Sequence, residues 1–304
     1  MSRITLSRDF AARGFSPDEL ARMTRDGELV HLRRGAYAEP AGPDQDPRLA
    51  HLRLIEATLS QCGSGAVVSH TSAAVVHDLP VWSEHLDRVH LTRDRRGGGR
   101  TRRWVCVHGS PLDAADVVET GGWPVTSLAR TVVDLGCMLP LVQAVAAGDP
   151  ALARTNRGEI ETVLKGQAGR TGIGRARRAV ELLDPRSESA GESFSRIVFH
   201  LGGLPRPEPQ YHVFTRDGRL VGRSDFGWPE FGVLGEFDGK TKYGRLLRKP
   251  GQTAEDVLVE EKRREDRLRA LGWIVIRWMW SDLIHPDPLL ARLQETFARG
   301  QRLA

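Results

Sequence analysis

Three carboxylates inside apolar, strand-like segments near the C-terminus constrain this chain more than any other feature. Asp225 lies in a predicted strand from 220 to 226, and Glu236 and Asp238 lie in the next one, from 231 to 238. Side chains two residues apart in a strand share a face, so Glu236 and Asp238 point the same way. Carboxylates that converge repel one another unless a cation offsets them, and Mg²⁺ takes oxygen ligands. The pattern therefore predicts a Mg²⁺ (or Mn²⁺) site held by Asp225, Glu236 and Asp238.

The segments around these carboxylates predict a C-terminal unit from 187 to 304. Asp217-Gly218 is a strong signal for a two-residue turn between its first two strands. The nearly unbroken apolar run from 273 to 280 predicts a strand buried on both faces. The order is helix, three strands, helix, strand, helix, at 190–201, 211–215, 220–226, 231–238, 255–271, 273–280 and 287–299.

The first forty residues predict a winged helix-turn-helix. Ser16 and Glu19 have the spacing of a capping box at the start of a helix. The alternating segment from 28 to 38 predicts a β-hairpin whose tip carries Arg33 and Arg34. In winged helices a helix enters a DNA groove and the wing arginines contact phosphates. The alternative is a small helical cap with an ordinary surface hairpin.

A linker rich in Pro, Gly and Asp, from 41 to 47, precedes an α/β region predicted for 48–152. Between two predicted strands of this region lies a basic, glycine-rich loop from 93 to 103. Such a loop is either a solvated turn or an arm that becomes ordered on contact with phosphates. Its candidate DNA-binding residues are Arg95, Arg96, Arg100, Arg102 and Arg103. The following segment, 153–186, is predicted to be a basic helical connector between the two halves.

Composition favours a polyanionic partner and no membrane. The 304 residues suffice for two domains, and the formal net charge of +5 comes mostly from arginine. A small excess of this kind is suggestive of nucleic acid but is not specific. The three widely spaced cysteines fit reduced thiols in a cytoplasmic protein. Neither a secretory signal nor a membrane-spanning run is expected.

Three segments of the first half resemble the AbiEi-type antitoxin family: GELVHLRRGAY at 27–37, VSHTSAA at 68–74 and VTSLARTVVD at 125–134. Members of that family are DNA-binding regulators of type IV toxin–antitoxin, or abortive-infection, systems. The resemblance implies an N-terminal winged helix that represses its own operon. It also implies DNA as a partner and a cognate toxin protein as a second candidate partner.

The second half resembles a bacterial family of small Vsr-like nuclease domains. Those domains have the PD-(D/E)XK, restriction-endonuclease-like fold with the order αβββαβ. The resemblance spans about 187–300, so the chain as a whole is expected to be mixed α/β. The matching pieces are Glu192, SDF at 224–226, GEFDGKTKYG at 235–244, EKRRED at 261–266, LGWIVIRW at 271–278 and WSDL at 280–283.

The resemblance implies hydrolysis of phosphodiesters assisted by Mg²⁺. Asp225 and Glu236 would hold the ion, and Asp238 would be a direct or outer ligand. Glu192 would approach from the first helix, and a lysine would stabilise the developing charge. The implied catalytic residues are Asp225, Glu236, Asp238, Glu192, Lys262 and Lys240.

The sequence departs from the general motif at Asp238, where the motif has a lysine that helps to activate water. Either Asp238 is a further ligand and Lys240 or Lys262 supplies the charge, or the site has decayed and the fold only binds DNA. Glu192 has the alternative of a helix surface pair with Arg196, and Lys262 that of a solvated helix face. The sequence thus predicts a DNA-binding protein that is a Mg²⁺-dependent endonuclease or a non-catalytic regulator.

Overall fold

The computed structural model of the protein describes residues 4–40, 42, 46–239 and 254–300, with only the backbone for 254–259 and 261. Most of the predicted linker, and Lys240, therefore lie outside the described residues. The helices and three sheets make the fold mixed α/β, as expected from the sequence. In the described ranges, no helix combines the length and apolarity needed to cross a membrane.

The chain divides into two compact units. The first comprises Met1–Pro140 and Ala153–Glu181, and the second comprises Leu141–Leu152 and Leu182–Ala304. The predicted halves met at a connector, 153–186, but most of that segment lies inside the first unit.

The first forty residues form two short helices and a small antiparallel sheet of order β1-β3-β2. The predicted capping box is confirmed. Ser16 Oγ accepts from the backbone N of Glu19 at 3.2 Å, and the Glu19 carboxylate accepts from the backbone N of Ser16 at 2.7 Å. The elements are β1 (Thr5–Leu6), α1 (Ser7–Ala12), α2 (Pro17–Arg25), β2 (Val30–Arg33) and β3 (Ala36–Ala38). The hairpin is the predicted one, whereas β1 is additional.

A six-stranded mixed sheet of order β6-β7-β5-β4-β9-β8 follows. Its elements are α3 (Pro47–Leu59), β4 (Ala66–Val68), α4 (His70–Val76), β5 (Val89–Arg93), β6 (Arg100–Arg102), β7 (Val105–Gly109), β8 (Val117–Thr120) and β9 (Trp123–Thr126). The strands β5 and β7 pair as predicted, but they are parallel. Their connection is therefore not a simple hairpin turn. Part of it forms β6, which pairs antiparallel with β7 at the sheet edge.

Four helices follow, and two of them lie within the predicted connector 153–186. They are α5 (Leu128–Met138), α6 (Leu141–Gly148), α7 (Arg157–Gly166) and α8 (Ile173–Glu181), of which α7 and α8 pack against α5. A Cβ added at Gly136 of α5 would lie 2.7 Å from the Cα of Ala176 in α8. Small residues let these helices approach closely. The segment 153–186 has few large apolar residues because its helices pack closely on α5, and not because it is an exposed connector.

The second unit is built on a four-stranded sheet of order β10-β11-β12-β13, in which only β12 and β13 are parallel. Its further elements are α9 (Ala190–Leu201), β10 (Glu208–Phe214), β11 (Leu220–Trp228), β12 (Val233–Phe237), α10 (Ala254–Ala270), β13 (Ile274–Trp278), α11 (Trp280–Ile284) and α12 (Asp287–Gly300). These elements follow the predicted order, with α11 additional. The core packs Phe199 and Phe226 against Trp228 and Trp278.

The expectation that β13 is buried on both faces is wrong in part. Ile276 and Trp278 are buried in the core, but Val275 and Arg277 on the other face are only partly buried. The reason is that β13 is an edge strand whose second face carries an ion-paired arginine.

Alanine at position 136 tests the close packing of α5 on α8. We expect Gly136→Ala to lower the free energy of unfolding by about 1–3 kcal/mol, because overpacking outweighs the gain in helix propensity. Gly174→Ala in α8 is the matched control, since its added Cβ meets open space. It should be neutral or slightly stabilising. Urea unfolding of both variants measures the difference, and equal stabilities would contradict the packing argument.

Candidate functional site

Two of the carboxylates predicted to hold a metal ion, Asp225 and Glu236, lie on the neighbouring strands β11 and β12 of the second unit. In the register of β11 and β12, Phe226 lies opposite Gly235. One further step along both strands places Asp225 opposite Glu236. Asp225 Oδ2 accepts a hydrogen bond from the backbone N of Phe237 at 2.8 Å. The structure therefore brings these two predicted ligands to the same place in the sheet.

Glu236 is already engaged by two arginines. Its carboxylate accepts from Arg264 of α10, and its Oε2 lies 2.9 Å from Nη2 of Arg277 in β13. Arg277 also reaches Glu265 at 3.3 Å. The side chain of Glu236 is only 12% exposed, so these contacts are weakly screened by water. Two guanidinium groups thus supply positive charge beside Glu236, where the sequence predicted a metal ion.

Glu192 is buried near the start of α9. Its carboxylate accepts from the backbone N of Glu188 at 2.9 Å, from Ser189 Oγ at 2.8 Å and from Gln210 Nε2 at 2.7 Å. Gln210 has a positive φ of 55°, and its Oε1 is buried without a hydrogen-bond partner in the described part of the chain. A buried glutamate and an unsatisfied amide oxygen are thus adjacent.

The alternative of a surface pair between Glu192 and Arg196 is wrong. Both side chains are buried, at 4% and 6% exposed. Arg196 donates to Asp149 Oδ2 at 2.8 Å and to the carbonyl oxygen of Leu182. This ion pair holds α9 to the end of α6 within the second unit.

The remaining described catalytic candidates, Lys262 and Asp238, belong to different segments of the second unit. Lys262 is exposed on α10, which agrees with a solvated helix face. Asp238 follows β12, and its backbone N donates to the carbonyl oxygen of Trp278 at 2.7 Å. Among the described residues, the predicted carboxylates do not form a group of three with ligand atoms within 4.8 Å of one another. The Mg²⁺ site stays a prediction.

A basic arm, which we define as residues 94–103, lies at the edge of the six-stranded sheet. All five of its arginines, Arg95, Arg96, Arg100, Arg102 and Arg103, are exposed. Within the described ranges none of them forms an ion pair. The arm folds back on β7, since a Cβ at Gly109 would overlap the carbonyl oxygen of Gly97 at 2.2 Å. The guanidinium of Arg103 lies 4.8 Å above the ring of Trp104.

The two arginines of the N-terminal hairpin differ from each other. Arg34 is exposed at the tip, where a ligand can reach it. Arg33 is partly buried, and its Nε and Nη1 have no hydrogen-bond partner in the described structure. Burial lowers the pKa of Arg33. Only Arg34 is therefore displayed as the sequence analysis expected of both.

A cluster of three histidines in the first unit was missed by the sequence analysis. His70 begins α4, His90 lies in β5 and His108 lies in β7. His90 Nδ1 is 2.9 Å from His108 Nε2, and the rings of His70 and His108 stack with centroids 3.7 Å apart. One ring nitrogen of each residue lies within 4.8 Å of the other two.

Asp134 of α5 backs this cluster and is fully buried. Its Oδ1 accepts from Arg130 Nε at 3.1 Å and from Arg170. Its Oδ2 lies 3.8 Å from His70 Nδ1 and accepts no hydrogen bond in the described structure. Arg170 Nη2 in turn lies 3.1 Å from His70 Nε2.

Burial keeps the three imidazoles neutral. It lowers the pKa of His70 well below its usual value, that of His90 to about 3, and that of His108. Burial alone would raise the pKa of Asp134, but His70, Arg130 and Arg170 outweigh it and the pKa is lowered. The site therefore holds three neutral rings around an ionised carboxylate.

No sequence pattern marked this cluster, because its assembly depends on nonlocal pairing. His90 and His108 are not directly opposite in the parallel register, where His90 pairs with Cys106 and His108 pairs with Thr92. The one available signal was that both histidines occur in strands predicted to pair.

Comparison with known proteins finds two relatives that match most of the chain. No family model matches it. Two Mycobacterium tuberculosis proteins, "Uncharacterized protein MT2308" of strain CDC 1551 and "Uncharacterized protein Rv2248" of strain H37Rv, are each 30% identical over 280 residues. The match covers 91% of this chain and 95% of each relative. A crystal structure of the RV2827C protein from the same species has a TM-score of 0.39 at 19% identity, over 70% of this chain and 83% of that one.

The depressed pKa of His90 predicts a pH-dependent stability. Between pH 6.5 and about 3 the unfolded chain binds a proton at this position and the folded chain does not, so stability falls as the pH drops. The slope is at most about 1.4 kcal/mol per pH unit for each such histidine.

Urea unfolding between pH 6.5 and 5, with EDTA present so that no metal ion competes, measures this slope. We expect His90→Gln to reduce the slope of stability against pH by up to about 1.4 kcal/mol per pH unit, which corresponds to one proton. His31→Gln, at an exposed histidine, is the matched control. An unchanged slope in His90→Gln would show that His90 does not contribute.

Proposed function

The chain belongs to the same family as the MT2308 and Rv2248 proteins of Mycobacterium tuberculosis, and we propose that it is a DNA-binding regulator of the antitoxin type. The observation that carries the proposal is the basic arm with its five exposed arginines. Arginine presents a planar fork of donors that matches phosphate. Such contacts supply affinity for the DNA backbone without reading its sequence.

In this proposal the segment from β1 to β3, residues 5–38, reads the DNA sequence. Two short helices and a three-stranded sheet are the elements of a winged helix, and the hairpin presents Arg34 at its tip. Arg22 and Arg25 are exposed on α2, the helix that would enter the DNA groove. In this proposal α2 contacts bases, while Arg34 and the basic arm contact phosphates.

The state of Glu236 favours a regulator over a nuclease. A metal ion would have to displace Arg264 and Arg277 from a carboxylate that both arginines already neutralise. Taking the Glu236 carboxylate away from Arg264 and Arg277 would disrupt a partly buried group of charges, which is costly. A cognate toxin protein, implied by the AbiEi resemblance, is the second partner in this proposal.

Binding to DNA from the region upstream of the gene, measured at several salt concentrations, tests the regulator. Each phosphate contact contributes about 0.9 to the slope of log K against log salt concentration. The double variant Arg95→Ala, Arg96→Ala, at two exposed arginines off the edge strand, should bind more weakly and lose up to about 2 from that slope. Arg299→Ala, at an exposed arginine of α12, is the matched control. If the double variant keeps the wild-type slope, the basic arm does not contact DNA.

A second candidate function is a Mg²⁺-dependent endonuclease. It is favoured by the placement of Asp225 opposite Glu236 on β11 and β12, and by the unsatisfied Gln210 Oε1 beside Glu192. These oxygen donors fit a hard divalent cation. Asp225, Glu236 and Asp238 would hold it, and the ion would polarise the phosphate and lower the pKa of the attacking water. Lys262 on α10 and Lys240 would supply positive charge.

Incubation of supercoiled and linear DNA with Mg²⁺ or Mn²⁺ distinguishes the two candidates. We expect binding without cleavage for the wild type and for Asp225→Asn, whose amide oxygen can still accept from Phe237. Glu230→Gln, at an exposed carboxylate, controls for surface charge. Cleavage that needs the metal ion and disappears only in Asp225→Asn would overturn the regulator and establish the nuclease.

A further inference from the structure

We propose that His70, His90 and His108 form a binding site for a divalent transition-metal ion, with zinc as the expected occupant. Three imidazoles from three separate elements of the first unit place one nitrogen each within 4.8 Å of the others. Three histidine ligands are a known zinc set that leaves a fourth position for water. The site shares no residue with the basic arm or with the carboxylates of the second unit.

His90 and His108 differ from the buried histidines His51 and His77 of the same unit. His51 has its own partners, Ser72 Oγ at 2.8 Å and the carbonyl oxygen of Leu86 at 3.0 Å. His77 lies 2.7 Å from the carbonyl oxygen of Thr126. His90 and His108, in contrast, bond to each other at 2.9 Å. One nitrogen of this pair carries the proton and the other accepts it, so a metal ion that binds both rings replaces this hydrogen bond after the donor ring changes tautomer.

The second observation is the unsatisfied oxygen of Asp134. Oδ2 is buried, accepts no hydrogen bond in the described structure, and lies 3.8 Å from His70 Nδ1. Metal-bound histidines usually donate their other N–H to a carboxylate, which fixes the ring and makes it a better ligand. His70 Nδ1 bonds to Ser69 Oγ at 2.9 Å in this structure. Exchanging that partner for Asp134 Oδ2 completes the arrangement and leaves Nε2 for the ion.

The backbone of His70 supports a placed ring. Its φ is +53°, in the left-handed region that non-glycine residues seldom adopt, and such strain persists where the surrounding structure holds a side chain in position. This conformation directs the imidazole toward His108 at the very start of α4. A helix start without such a requirement would use an ordinary backbone angle.

Two further contacts of His70 must change when the ion binds. The ring of His70 stacks on that of His108 at an interplanar angle of 17°, so it has to rotate to direct its lone pair toward the shared ion. Arg170 Nη2, 3.1 Å from His70 Nε2, has to release that nitrogen. Arg170 remains paired with Asp134, whose carboxylate offsets part of the charge of the incoming ion.

The ligand set selects the class of metal. Imidazole nitrogens suit zinc, copper, nickel and iron, whereas magnesium and calcium prefer oxygen. The absence of a thiolate among the three ligands favours a divalent ion over copper(I). Zinc, with bonds of about 2.0–2.1 Å to histidine nitrogen, can be reached by three nitrogens that are already close together.

Zinc titration of the chelator-stripped full chain, followed by competition with a chromophoric chelator, tests the site. We expect one equivalent of tightly bound zinc in the wild type. His90→Ala and His108→Ala should each lower the affinity at least 100-fold. His77→Ala, at a buried histidine outside the cluster, is the matched control and should bind like the wild type.

Cobalt substitution provides a readout that does not depend on stability. Bound Co²⁺ should give the intense visible absorption of a four-coordinate site, lost in His108→Ala and kept in His77→Ala, with circular dichroism confirming that both variants are folded. If the folded wild type takes up no zinc, or if the cluster variants bind it as tightly as the control, the proposal is overturned.

Discussion

The first unit depends on a buried arginine, Arg130, that has no contact with water. Its guanidinium donates to Asp134 Oδ1 at 3.1 Å, to Asp116 Oδ2 and Ser110 Oγ at 2.8 Å, and to the carbonyl oxygen of Pro111 at 2.9 Å. Burying a guanidinium is tolerated only when its donors are satisfied. The network therefore ties α5 to the segment before β8. The helices α7 and α8 pack on α5, and Asp134 of α5 lies behind the histidines. The hydrogen-bonded guanidinium of Arg130 therefore helps to position all of these elements.

The same electrostatic rule governs the second unit, with a different outcome for function. Carboxylates within apolar strands need an opposite charge, and either a metal ion or a guanidinium meets that need. Glu236 has Arg264 and Arg277, while Asp225 has the backbone N–H of Phe237. A sequence pattern of carboxylates on adjacent strands does not reveal which solution is used. The partner is determined by α10 and β13, which lie far along the chain from the carboxylates themselves.

Local signals in the sequence were sufficient for most elements of the fold. The capping box at Ser16 and the helix Ala190–Leu201 were predictable, because each depends on neighbouring residues. The turn at Asp217-Gly218 was predicted with two residues, but Thr215 and Arg219 pair across a loop of three, 216–218. Nonlocal features were not. The parallel pairing of β5 with β7, which assembles the histidines, has no local signature. The close contact of Gly136 with Ala176 likewise allows α8 to pack on α5 without large apolar side chains. For that reason the sequence of α8 was interpreted as part of a connector.

The position of the basic arm bears on what its arginines do. Edge strands are commonly protected by charges that discourage pairing with another chain, and β6 is such an edge. Arg100 and Arg102, on one face of β6, are enough for that purpose. Arg95, Arg96 and Arg103 lie off the strand and do not protect its edge. Five exposed arginines without an acidic partner in the described structure repel one another, and each carries a cost in rotamer freedom when held. A phosphate backbone relieves that repulsion along its whole length, whereas edge protection explains only two of the five.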